Sequence, residues 1–152
     1  MNRQFSYSMQ NILNLRDVMK QSREMELAEA HLALRNERNN LRRVLAEMRK
    51  AMLFDEAKMR DADASYFLQR ERYLRKIRQA RDAAENAVRM ASIQVEKCRL
   101  NLIEAHTELR KMEKNRERHA ERWRVDANLV EHKFNDEVAN TISHAKARSG
   151  LE

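Results

Sequence analysis

The fold of this chain is decided by residues 74–112, LRKIRQARDAAENAVRMASIQVEKCRLNLIEAHTELRKM, in which apolar residues recur at alternating steps of three and four. Starting from Leu74, eleven of the twelve positions reached by this spacing are apolar and one is Arg81. The apolar ones are Leu74, Ile77, Ala84, Val88, Ala91, Val95, Cys98, Leu102, Ala105, Leu109 and Met112. This heptad repeat predicts a long α-helix that packs against another helix along a narrow seam.

The composition of the whole chain argues against other folds. Its 152 residues include no proline and one glycine, Gly150. Tight turns depend on those two residue types, so a sheet with several hairpins is not expected. Charged residues make up 36% of the chain, and the dominant residues are good helix formers. The charge is therefore interpreted as the solvated faces of long helices, and not as disorder.

The first half of the chain carries the same pattern. Large apolar residues stand seven apart at Leu27, Leu34, Leu41 and Met48, which predicts a first helix over about residues 5–60. The heptad frames of the two halves do not join across residues 55–65, DEAKMRDADAS. This segment offers three candidate N-caps, Asp61, Asp63 and Ser65, so we predict a bend at residues 61–65 and a second helix over about residues 66–146.

Together these patterns predict an all-α fold, an antiparallel two-helix coiled-coil hairpin with a longer second helix that forms a single domain over residues 1–152. The alternative is one continuous helix that dimerises, and at 1.5 Å per residue it would be roughly 200 Å long. In a hairpin paired from the bend, the N-terminal end of the first helix lies opposite residues 114–122. The last ~25 residues of the second helix then project without a full partner. Beyond Met112 the frame meets Arg116 and His119 before Trp123. After Trp123 the apolar positions continue in a shifted heptad frame, which indicates a stutter in the coiled coil; they are Ala127, Val130, Phe134, Val138 and Ile142.

The sequence carries no pattern for catalysis, a cofactor or a metal site. None of its five histidines has another histidine four residues away, and Cys98 occupies a seam position. No apolar run approaches the ~20 residues of a membrane span, and the N-terminus lacks the apolar core of a signal peptide. We therefore expect a soluble cytoplasmic protein that is not an enzyme.

Basic and aromatic residues suggest interaction surfaces. The net charge is +7, and two stretches are rich in cations, residues 70–81 and residues 114–124. They are compatible with docking onto acidic proteins, with solvated helix faces or, less readily, with nucleic acid binding. The eight aromatic residues cluster near the bend at Tyr66, Phe67 and Tyr73, and near the other end. If the hairpin closes, Phe5 and Tyr7 lie near Trp123 and Phe134.

Several segments resemble one known family. These segments resemble, in the same order and over a similar chain length, FliJ family proteins of the bacterial flagellar type III export apparatus: FSYSMQNILNLR (residues 5–16), ELAEA (26–30), ELRKMEKNRER (108–118), Trp123 and NDEVA (135–139). The resemblance implies a stalk like that of rotary ATPases, which binds a hexameric export ATPase and promotes its ring assembly. It also implies contact with the cytoplasmic domain of the export gate protein FlhA and with export chaperones. Nucleic acid is not expected as a partner.

The resemblance also implies two sets of contact residues and a location. The end with both termini would meet the ATPase through Phe5, Tyr7, Arg122, Trp123, Arg124, Phe134, Asp136 and Glu137. The bend end would meet the export gate through Met48, Tyr66, Tyr73, Ile77, Ala80 and Ala84. The protein would lie at the inner membrane peripherally, through protein partners only. Alternatives are an injectisome stalk protein of the YscO-like type and a generic coiled-coil adaptor.

Overall fold

The computed structural model of the protein describes residues 4–53 and 56–150, without the side chains of residues 56 and 57. It contains three helices, α1 (Gln10–Met52), α2 (Glu56–Arg60) and α3 (Ala64–Ser149), and these account for all regular secondary structure in the described ranges. The predicted all-α class, with a long first helix and a longer second one, is confirmed. The chain divides into two compact units, Met19–Ala105 and Met1–Val18 with His106–Glu152. That the chain is a single domain stays a prediction.

The unit Met19–Ala105 is built on the predicted seam. Within it, α1 runs toward the bend and α3 returns from it, with apolar residues of both helices buried between them, namely Ala30, Leu34, Leu74, Ile77, Ala84 and Cys98. All positions of the α3 heptad from Leu74 to Ala105 are buried or half-buried, including Arg81. The small residues Ala84 and Cys98 are among the most buried, since small side chains let two backbones approach closely. The seam prediction is confirmed.

The bend differs in detail from the expected single turn. The first helix was expected to reach about residue 60, whereas α1 ends at Met52 and the short α2 follows. The basic Arg49 and Lys50 lie in the last turn of α1, where their positive charges interact favourably with the negative end of the helix dipole. The helix ends without a proline or a glycine nearby in the sequence.

The start of α3 is set by a side-chain cap. The backbone N–H of Tyr66 donates a hydrogen bond of 3.0 Å to Oδ1 of Asp63, the residue directly before the helix. This satisfies one of the N–H groups that the first turn leaves without a partner. Asp63 is one of the three candidate N-caps, and it lies inside the predicted bend.

The other unit pairs the N-terminal segment with the second part of α3. Residues 4–7 are not helical, and a turn in which Gln10 N–H donates to the Tyr7 carbonyl leads into α1. Leu109 is buried and Met112 is half-buried, as the heptad predicts. From Asn128 to Gly150 every residue is exposed, so the predicted unpaired end of α3 is confirmed within this unit. None of the described helices has the length and apolar character needed to cross a bilayer.

Candidate interaction surfaces

An aromatic contact holds the N-terminal segment against α3, and we call its five residues the N-terminal clasp: Phe5, Tyr7, Asn115, His119 and Trp123. The Tyr7 side chain is buried, and its hydroxyl donates a hydrogen bond of 2.7 Å to Oδ1 of Asn115. Its ring lies 5.7 Å from the His119 ring at 58°. The Phe5 ring lies 6.1 Å from the Trp123 ring at 59°, within the range of favourable aromatic pairs.

The clasp fixes the direction of pairing in this unit. Asn115, His119 and Trp123 are four residues apart and therefore share one face of α3. Because Tyr7 contacts the first two and Phe5 the third, the N-terminal segment runs antiparallel to the helix. The predicted proximity of Phe5 to Trp123 is confirmed. Phe134 lies further along α3, where it is 62% exposed.

A row of apolar side chains continues past the clasp, and we call it the C-terminal stripe: Val130, Phe134, Val138 and Ile142. All four are exposed. With the half-buried Ala127 they follow steps of three and four, and Ala127 and Val138 are eleven residues apart. An eleven-residue repeat keeps a stripe on one face of a nearly straight helix, so these side chains form a continuous surface. The neighbouring predicted contact residues Arg122, Arg124, Asp136 and Glu137 are also exposed.

The second predicted surface lies at the bend end of the unit Met19–Ala105, and its residues differ in exposure. Tyr73 and Ala80 are exposed, and Tyr66 and Met48 are half-buried. The Tyr66 ring stands edge-on to Phe67, with centroids 5.7 Å apart. Ile77 is 5% exposed and Ala84 is 4% exposed, because both belong to the seam. A partner can therefore reach Tyr73 and Ala80, whereas Ile77 and Ala84 serve to position the helix that carries them.

Ion pairs on α3 are local and exposed. Lys111 Nζ lies 2.6 Å from Glu108 Oε1, and this hydrogen bond lowers the pKa of the Glu108 carboxyl. Arg99 lies 2.7 Å from Glu96, and the bond between them lowers the pKa of that carboxyl. Both pairs are three residues apart on one helix, so they contribute little to stability and mark no catalytic site.

Cys98 and the acidic and histidine residues give no sign of reactive chemistry in the described part of the chain. The Cys98 thiol is buried in the seam, where the Gln94 side-chain amide approaches its sulfur to 3.5 Å. No group of three or more histidine, cysteine, aspartate or glutamate side chains is arranged to hold a metal ion among the residues that can be described. The two surfaces above are thus the candidate functional features.

A comparison with known families decides which proteins this chain is related to. The family model described as "Flagellar FliJ protein" matches residues 5–148, which is nearly the whole chain. The chain belongs to the FliJ family. That membership makes it a component of the flagellar export apparatus, in a family of structural and chaperone-escort proteins. No curated protein and no solved structure was found to match the chain.

One part of the N-terminal clasp was not predicted from the sequence. Phe5, Tyr7 and Trp123 were expected near one another, but Asn115 and His119 were not assigned a role. For His119 a signal is present, because it is a polar residue that occupies a heptad position after Met112, and the segment facing it supplies the ring of Tyr7. For Asn115 the heptad frame gives no signal, because the frame reaches Arg116 instead, which is exposed.

Proposed function

We propose that this chain is a stalk subunit of the flagellar export apparatus that binds the hexameric export ATPase through the C-terminal stripe, promotes ring assembly, and links the ring to the export gate and to export chaperones. The observation that carries the proposal is the exposed stripe itself, an apolar face on a stretch of α3 that no other described segment of its unit covers. Contiguous exposed apolar surface is typical of a protein interaction site.

The C-terminal stripe offers enough apolar surface to contribute to binding when a partner covers it. Full burial of a Val, Ile or Phe side chain contributes about 1.5–3 kcal/mol relative to exposure. Four such residues offer enough to offset part of the entropy lost on association. The charged residues beside the stripe, Arg122, Arg124, Asp136 and Glu137, include both signs and fit a polar rim.

The clasp supports the same proposal by placing the chain start beside the stripe. Phe5 packs on Trp123, and Val130 follows Trp123 by two helical turns. An ATPase ring that encloses the stripe would therefore also meet the N-terminal segment. Tyr7 is buried against Asn115 and His119, so its proposed part is to hold that segment in place.

The export gate and the chaperones would bind other residues. At the bend end, Tyr73 and Ala80 are available to the cytoplasmic domain of the gate protein FlhA. Half-buried Met48 and Tyr66 would contribute the edges of that contact. Export chaperones are proposed as partners on the family relationship alone.

The test is to mix the purified chain with the export ATPase of the same organism and to measure ring formation by analytical ultracentrifugation together with ATP turnover. We expect the chain to increase both. The double variant Val130→Ala, Phe134→Ala should lose the effect while its helix content stays unchanged, since alanine is a good helix former.

The matched control is Met25→Ala, Leu32→Ala, which removes two exposed apolar side chains from α1 instead. It should stimulate the ATPase as the parent chain does. Absence of both complex formation and any change in turnover with the parent chain would refute the proposal. Equal losses in the two double variants would refute the assignment to the stripe.

A further inference from the structure

Residues 35–81, which we call the basic bend, carry as much net positive charge as the whole chain. This region contains 14 Lys and Arg and 7 Asp and Glu, whereas the rest of the chain contains 17 of each. The basic bend therefore has a net charge of +7, and the rest of the chain sums to zero although residues 114–124 are also rich in cations. Eleven of its 14 cations are arginines, which bind phosphate groups in bidentate geometry more readily than lysine does.

Most of these cations are exposed to solvent. In the basic bend all of them are exposed except Arg70 and Arg81, which are half-buried. Arg78 lies 3.7 Å from Glu71 and Arg81 lies 2.7 Å from Asp82. By contrast, Arg72, Arg75 and Lys76 have no ion-pair partner in the part of the chain that the structure describes. On α1, steps of three, four and seven place four exposed arginines on one face: Arg35, Arg38, Arg42 and Arg49.

Apolar side chains stand exposed where the two long helices meet the bend, and we call them the apolar tip: Met52, Leu53, Phe67 and Leu68. Leu53, one residue past the end of α1, is 74% exposed. Phe67 and Leu68 lie in the first two turns of α3. An apolar patch bordered by arginines is the arrangement of surfaces that bind at the boundary between lipid headgroups and acyl chains.

We propose that the basic bend binds the surface of an anionic phospholipid bilayer directly, with its arginines on lipid phosphates and the apolar tip inserted among the headgroups. This departs from the expectation that the chain reaches the membrane through protein partners only. The proposal does not rest on ATPase binding, because all of its residues lie in Met19–Ala105 and none belongs to the C-terminal stripe or the clasp. It shares the bend end with the proposed gate contact but uses other side chains than Met48, Tyr66, Tyr73 and Ala80.

Two features favour a bilayer over other anionic partners. A nucleic acid surface offers phosphates but no apolar layer, and it would leave the apolar tip without a function. The cations extend along α1 from Arg35 to Lys50, roughly 20 Å at 1.5 Å per residue, and recur on α3. An extended anionic surface matches that spread, since each lysine or arginine close to an anionic membrane adds an increment of attraction.

The experiment is flotation of the full chain with vesicles of phosphatidylcholine alone and with vesicles that contain about one-third phosphatidylglycerol. We expect binding to the anionic vesicles only, weakened by added salt. The variant Arg35→Gln, Arg38→Gln, Arg42→Gln, Arg49→Gln should bind at least about 100-fold more weakly, because each arginine near an anionic surface contributes roughly a fivefold factor.

The matched control carries the same charge change elsewhere: Arg89→Gln, Arg110→Gln, Arg116→Gln, Arg118→Gln, all at exposed positions. It should float like the parent chain, and both variants should keep the parent helix content by circular dichroism. The variant Leu53→Ser, Leu68→Ser should bind but dissociate at lower salt. Equal binding to neutral vesicles, equal losses in the two arginine variants, or binding to duplex DNA without binding to anionic vesicles would each overturn the proposal.

Discussion

Two stretches of α3 have similar apolar spacing but differ in burial. Between Leu74 and Ala105 the heptad positions are buried or half-buried, because α1 covers them within their unit. Between Val130 and Ile142 the apolar positions are exposed, because no other described segment of their unit covers them. An apolar period thus predicts where a helix can pack, but it does not predict whether another segment covers that face. The exposed stretch is the one available for intermolecular contact.

The largest expected difference in stability is between truncating a buried apolar side chain in the seam and truncating an exposed one in the C-terminal stripe. Leu34→Ala removes a buried seam residue and should lower the free energy of unfolding by about 2–3 kcal/mol, at the lower end of the range for buried leucines. Val138→Ala removes an exposed one and should change it by less than about 0.5 kcal/mol. Urea unfolding followed by circular dichroism measures both. Similar losses in the two variants would mean that Val138 is covered in solution.

A second prediction addresses the clasp, which stabilises the N-terminal segment with few residues. Tyr7→Phe removes the hydroxyl that donates to Asn115 and leaves that amide oxygen without its partner, at a cost of about 1 kcal/mol. Trp123 is the only tryptophan in the chain and reports on the contact. Phe5→Ala should shift its fluorescence to longer wavelength by exposing the indole ring. Unchanged emission in that variant would contradict the Phe5–Trp123 contact.

A third prediction concerns the junction that begins α3. Asp63→Ala removes the side chain that accepts from the Tyr66 N–H, and loss of an N-cap costs about 1 kcal/mol. Asp63→Asn is the matched control, since asparagine retains an accepting oxygen and caps nearly as well. Amide hydrogen exchange should therefore accelerate in the first turn of α3 in the alanine variant and stay close to the parent rate in the asparagine variant.

The sequence predicts the parts of this structure that depend on local periodicity. The seam positions from Leu74 to Met112, an N-cap among Asp61, Asp63 and Ser65, and the unpaired end of α3 follow from spacing, propensity and the relative lengths of the helices, while the structure selects Asp63 as the cap. The end of α1 at Met52 was not predicted, because neither proline nor glycine marks it. The Tyr7–Asn115 bond was not predicted either, because it depends on the register between segments more than a hundred residues apart.

The smallest change in stability is expected on removal of the exposed ion pair between Glu108 and Lys111, and its contribution can be followed as a function of pH. The hydrogen bond from Lys111 lowers the folded-state pKa of Glu108, so the folded chain favours the ionised carboxyl. Its stabilising contribution is therefore present above the ordinary glutamate pKa of about 4.3 and is lost as pH falls through the lower folded value.

Lys111→Gln should return the pKa of Glu108 toward the ordinary value, as measured by NMR titration of the carboxyl carbon. Thermal unfolding at neutral pH should scarcely change, because an exposed pair on one helix is screened by water, in contrast to the seam. A loss of stability as large as that of Leu34→Ala would show that the charged faces, and not the seam, hold the two helices together.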